Sequence, residues 1–152
     1  MTSMPIPPAA GRAAVAELTL QGAQDILEGN FAAWVLDLGL SVEAVGEGRA
    51  VLRLPFSERL TRVGGTLCGQ ALMSAADTAM VIALSGSFGE FKPVTTVSQN
   101  VSFMRPVAGK DVLVEAKVIR LGRTLAFGEI LMRIDGDERP AAHATTTYAI
   151  LS

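Results

Sequence analysis

The sequence predicts an α+β domain: a curled antiparallel β-sheet wrapped around one long central helix. Three observations carry this. The run from Gln70 to Ser85 has no β-periodicity and is too long for a strand. Two segments before it and four after it alternate apolar and polar residues, as half-buried strands do. A helix that is apolar nearly all round must be covered on most sides, which antiparallel strands achieve by curling around it.

Taken in order, residues 1–18 contain Pro5, Pro7 and Pro8 and lack both a basic opening and an uninterrupted apolar run. They are expected to be a disordered tail and not a signal peptide, leaving 19–152 as a single domain. Leu20 to Glu28 reads as a short amphipathic helix through Leu20, Ile26 and Leu27, closed by Gly29-Asn30. Phe31 and Trp34 read as core or interface residues. Leu38 to Val45 and Arg49 to Pro55 flank Gly46-Glu47-Gly48 as a hairpin, with Leu40, Val42 and Ala44 expected on one face. A loop from Thr61 to Gly69 then enters the long helix. There Ala71, Ser74, Ala75, Ala76, Thr78, Ala79 and Ala83 are small enough for a sheet to approach closely. Strands are expected at Val94 to Met104, Asp111 to Leu121, Thr124 to Ile134 and Ala141 to Leu151. Their short separators predict an antiparallel meander.

Composition narrows the function. With 49% hydrophobic and 18% charged residues, 152 residues suffice for one well-filled core. The 13 basic and 15 acidic residues are scattered, so a nucleic acid partner is not expected. Cys68 is the only cysteine and His143 the only histidine, which excludes an intrachain disulfide and gives no zinc set. A cytoplasmic setting is the expectation. The apolar stretch Ala71 to Leu84 is shorter than a membrane span and carries Asp77, so no membrane association is expected.

Asp77 is the only residue between Arg62 and Glu90 that is charged at neutral pH in its ordinary state. Burying an unpaired carboxylate costs several kcal/mol or raises its pKa, so this one is either a structural group, on a thin exposed stripe or bonded to backbone, or a general base or nucleophile. Helical spacing places Gln70, Met73, Ser74, Asp77, Met80 and Val81 on one stripe that can line a cleft. At the helix start, Gly69 and Gln70 offer free N–H groups and the positive end of the dipole to a developing oxyanion. Gly69 and Asp77 are eight residues apart, which is ~12 Å along a helix axis at ~1.5 Å per residue. One chain therefore cannot bring both to one carbonyl. A two-fold dimer with antiparallel neighbouring helices can, giving two shared sites.

The run Gly64-Gly65-Thr66-Leu67-Cys68-Gly69-Gln70 through Ala76-Asp77 resembles the helix motif of hotdog-fold acyl-CoA thioesterases of the phenylacetic-acid-degradation type. Val94-Thr95-Thr96, Phe103-Met104-Arg105-Pro106, Gly109-Lys110-Asp111, Leu121-Gly122-Arg123 and Ala142-His143-Ala144-Thr145 are similar to that family's later strands. The resemblance implies a hotdog fold and a dimer or dimer of dimers with a continuous sheet. It also implies metal-independent hydrolysis of acyl-CoA without a cofactor other than the CoA of the substrate. By the same resemblance Asp77 is the acidic catalytic residue, Gly69 supplies the N–H that polarises the carbonyl, and Thr95 supplies a hydroxyl that places water or the carboxylate. Where many members carry His-Gly-Gly this chain has Cys68-Gly69-Gln70, and where an Asn or Gln often precedes the helix it has Arg62. Arg62 becomes a pairing candidate for Asp77.

Among the remaining candidates, Cys68 reads as a small loop residue near the pocket. Met73, Met80 and Met104 are adaptable enough to line an acyl site, with ordinary core packing the alternative for each. Arg105, Arg120 and Arg123 have the geometry for CoA phosphates, Arg123 above the others. The rival reading is a non-catalytic acyl-CoA-binding protein.

Overall fold

The computed structural model describes residues 16–151. The tail expectation therefore lies outside the described residues except at 16–18, which carry no regular structure. The chain runs α1 (Leu20–Asn30), α2 (Ala33–Leu36), β1 (Ser41–Gly46), β2 (Arg49–Leu54), a 3₁₀ turn (Glu58–Leu60), α3 (Gly69–Phe88), β3 (Val94–Phe103), β4 (Val112–Leu121), β5 (Leu125–Ile134) and β6 (Pro140–Ile150). The six strands form one antiparallel sheet in the order β1-β2-β4-β5-β6-β3, curled around α3. This is the hotdog arrangement.

The long helix spans 20 residues, long enough on its own to cross a bilayer. Its apolar surface is instead taken up by the sheet. Ala71, Ala75, Ala76, Ala79 and Ala83 are all buried against it, and the buried hydroxyls of Thr78 and Ser85 donate back to the carbonyls of Ser74 and Val81. Packing is closest at two glycines. A Cβ at Gly86 would sit 2.1 Å from the carbonyl oxygen of Gly46, and one at Gly128 would sit 2.2 Å from Met80 Cε. Met80 is accordingly a core residue. The expectation that it lines a cleft is corrected, because it leans off the stripe into β5.

Two further expectations change. Strands β4, β5 and β6 do follow as a meander, but β3 lies beyond β6, and β4 pairs with β2. The separator 104–111 crosses two strands instead of turning back. Its eight residues reach roughly 28 Å when extended, against about 14 Å for three strand spacings. In β1 a bulge between Val42 and Ala44 turns Ala44 out to solvent, and Val45 takes its place against the core. Phe31 packs on the core, whereas Trp34 on the short α2 is 60% exposed.

At one end of the sheet Arg53 donates to Glu43, to Asp111 at 3.1 Å and to Asp135 at 2.8 Å. The Phe56 N–H at 2.8 Å, and then Arg53, hold the Asp111 carboxyl below its usual range. A lowered carboxyl contributes stability above its unfolded value and loses it as pH falls. The urea midpoint is therefore expected to drop between about pH 6 and about pH 3, and to drop less in Asp111→Asn. Equal drops in the two proteins would rule Asp111 out as a source of acid sensitivity.

Candidate active site

The loop before α3 is pinned from both sides. Leu67 N–H donates to Val107 and Cys68 N–H to Leu60, both at 2.8 Å, and Arg62 N–H donates to Thr66 at 2.9 Å. Gly64 and Gly65 turn the chain with φ of 101° and 80°, which side chains disfavour. Cys68 enters α3 in an extended conformation and gives no side-chain cap. The first N–H groups of the helix are thereby left open, together with the positive end of its dipole.

Two clefts meet at this helix start. One, of about 540 Å³, is lined by Gly69 and Leu72 from α3, Arg62 and Thr66 from the loop, and Phe103, Met104 and Arg105 from the end of β3. The other, of about 260 Å³, holds Cys68 and Gln70 with Trp34, Leu38, Arg59 and Leu60. The helix end thus divides them.

Asp77 opens into neither cleft. It is half-buried beside β3 and β6, where Thr96 Oγ1 donates to Oδ1 at 2.8 Å. The Tyr148 hydroxyl shares its proton between Asp77 Oδ1 and the Asp77 carbonyl oxygen, the latter at 2.8 Å. Burial, and next the adjacent Asp77 charge, hold the Tyr148 phenol well above its ordinary range, so it remains a donor. Both side-chain bonds fall on Oδ1, and no described side chain engages Oδ2.

The structure sorts the expected site residues. Met73, Ser74 and Asp77 lie along β3, where Gln99 Nε2 donates to the Met73 carbonyl at 3.1 Å. Val81 is half-buried on the same stripe. The hydroxyl that meets Asp77 is that of Thr96, not Thr95. Successive strand residues face opposite sides, so Thr95 points away, and a bulge follows at Thr96/Ser98. Arg62 does not pair with Asp77. It lines the Gly69 cleft, about two helical turns away along α3. Arg105 lines that cleft too and binds Asp137 at 3.0 Å. Arg123 is exposed in the β4–β5 turn, at the far end of the sheet from Gly69. His143 bonds Glu129 at 3.3 Å, so no Cys68–His143 pair forms. Tyr148 was not anticipated. The signal was available: the only tyrosine, within an alternating strand, brings a phenol that needs a partner once buried.

Fold and site together define a hotdog protein with a carboxylate on its central helix and an open helix N-terminus. The sequence profile of the thioesterase superfamily matches residues 64–141. An inferred esterase from Halobacterium salinarum is 35% identical over 111 residues, covering 68% of this chain and 72% of its own. The zebrafish thioesterase superfamily member 2 structure superposes with a TM-score of 0.79 at 26% identity, over 89% of this chain and all of that one. A variant of the phenylacetic acid degradation protein PaaI from Thermus thermophilus does so with a TM-score of 0.70 at 26% identity, over 79% of this chain and 100% of its own. The chain belongs to the thioesterase superfamily, and its function is of the thioesterase type, a hydrolase activity.

Proposed function

We propose that the protein hydrolyses acyl-CoA thioesters, aryl or alkyl, in sites shared between two copies of the chain. One observation carries this reading. Gly69 touches Phe103 and Asp77 touches Thr96, on either side of Gln99 near the middle of the same edge strand, β3. The outer edge of β3 has no strand partner among the described residues, and Val97, Phe103 and Met104 stand exposed along it. An open edge of ten residues is a template for pairing. Antiparallel pairing of two β3 strands about their middle exchanges the two levels and sets Gly69 of one copy against Asp77 of the other. The same operation brings the β4–β5 turn of the second copy, with Arg123, toward the cleft mouth, where it meets the CoA phosphates. Exposed Ile119, Leu125 and Phe127 on the outer sheet face give a dimer of dimers its contact.

In that site the thioester carbonyl lies on the Gly69 and Gln70 N–H groups. Asp77 Oδ2 takes a proton from water as the water oxygen bonds to the carbonyl carbon. The oxyanion is held at the helix end until the C–S bond breaks and the CoA thiolate leaves, recovering the proton. Thr96 and Tyr148 fix Oδ1 and so aim Oδ2. The test is thiol release over aryl, short and long acyl-CoAs with wild type and Asp77→Ala. Binding of CoA esters with no thiol release above background would replace the hydrolase reading with the binding-only one, which Arg62 and Cys68 favour.

Aim through Oδ1 also yields a paired expectation. Thr96→Val should lower kcat about tenfold, the loss of roughly one hydrogen bond to a charged group. Thr95→Val should leave kcat near wild type, and the reverse order would put the hydroxyl role back on Thr95.

A further inference from the structure

We infer that the cleft beside Gly69 selects acyl groups carrying a second negative charge, the mono-CoA thioesters of dicarboxylic acids. The inference rests on the thioesterase reading and names its substrate class. Arg62 and Arg105 line the cleft and no acidic side chain does. Arg62 makes no ion pair among the described residues. Arg105 donates through Nη2 to Asp137, but Asp137 also binds Arg139 at 2.9 Å, so one carboxylate serves two guanidinium groups. Arg105 Nη1 is buried with no partner, and a buried donor left unmade is costly. A carboxylate entering the cleft meets this guanidinium, whose forked donors suit a carboxylate.

The position of these cations decides which anion they take. They share a cleft of about 540 Å³ with Gly69, the residue that holds the thioester carbonyl. The long pantetheine arm sets the CoA phosphates well outside a space of that size. A carboxylate at the far end of a short acyl chain remains inside it, with its methylenes against Leu72, Phe103 and Val107. Asp77 of a second copy adds one negative charge. It still faces two positive centres, Arg62 and the Arg105–Asp137–Arg139 cluster, so the cleft stays cationic.

The test compares glutaryl-CoA with hexanoyl-CoA, which share the same CoA, so phosphate contacts cancel. Affinities are measured by calorimetry on Asp77→Asn protein, and kcat/KM on wild type. Glutaryl-CoA should be favoured about tenfold or more in both, the worth of one charge-assisted hydrogen bond. Arg62→Met should cost glutaryl-CoA about tenfold more than hexanoyl-CoA, and Arg62→Lys should restore part of the difference. Equal affinity for the two thioesters, equal losses in Arg62→Met, or no binding of glutaryl-CoA overturns the inference. If every thioester resists turnover while the Asp77→Asn preference persists, the hydrolase reading fails and the acidic-acyl site stands. Turnover without preference does the reverse, sustaining hydrolysis and removing the acidic-acyl site.

Discussion

Asp77→Asn is expected to lower kcat for thioester hydrolysis by about 10²- to 10⁴-fold, the usual worth of a positioned general base. KM should change little, because in the proposed site the helix end and the cleft arginines, not Asp77, hold the substrate. Asparagine is the informative replacement because its carbonyl oxygen can still accept from Thr96 and Tyr148. What it removes is the basic oxygen, Oδ2. Circular dichroism and thermal melting should therefore match wild type while thiol release collapses. A variant with unchanged turnover would show that the carboxylate serves the fold and not the reaction.

The largest effect on stability is expected from Gly86→Ala. The added methyl would lie 2.1 Å from the Gly46 carbonyl oxygen, and neither side has room to yield. Gly46 closes the β1–β2 hairpin, and Gly86 sits in a helix already packed against the sheet. Overpacking of this kind costs about 1–3 kcal/mol or more, beyond the ~1 kcal/mol that alanine gains over glycine within a helix. At about 2–4 °C per kcal/mol for a chain of this size, the melting temperature should fall by several degrees. Gly29→Ala is the control. It lies in α1 with nothing within 4 Å of its added Cβ, so propensity alone acts and the melting temperature should stay level or rise. If Gly86→Ala melts at or above wild type, the helix and hairpin have room for a methyl group and close packing at Gly46 is ruled out.

How far the sequence discloses this molecule follows from which interactions are local. The long helix and the four later strands fall within a few residues of their expected bounds, because helical and strand periods are properties of neighbouring residues. The sheet order is different in kind. Placing β3 beyond β6 depends on pairing between segments distant in sequence, and separator 104–111 reads equally well as a turn. The misread face in β1, that of Ala44, adjoins a bulge. One inserted residue reverses every side chain beyond it and leaves no mark in composition.

The candidate site divides the same way. Asp77 and Gly69 stand out because a lone carboxylate and a helix start are visible in the alternation of the chain itself. Their surroundings are non-local: Tyr148 lies 71 residues from Asp77, and the Gly69 cleft joins the loop at Arg62 to the end of β3 at Arg105. Those contacts place Arg62 in the Gly69 cleft and away from the carboxylate. The ~12 Å between Gly69 and Asp77 along α3 survives unchanged. In the proposed dimer, pairing at the open edge of β3 closes that gap.

Subunit complementation tests the shared site most directly. Asp77→Asn removes the base. Gly69→Pro removes the N–H at a first helical position whose backbone accepts proline, Cys68 before it being extended; its Cβ would lie 3.1 Å from the Phe103 ring, which must shift slightly. Each variant alone should be inactive. If each site joins Gly69 of one copy to Asp77 of the other, subunit exchange creates one intact site per mixed dimer, and an equal mixture should recover about one quarter of wild-type activity. Mixed dimers that form but regain no thiol release would contradict an intersubunit site.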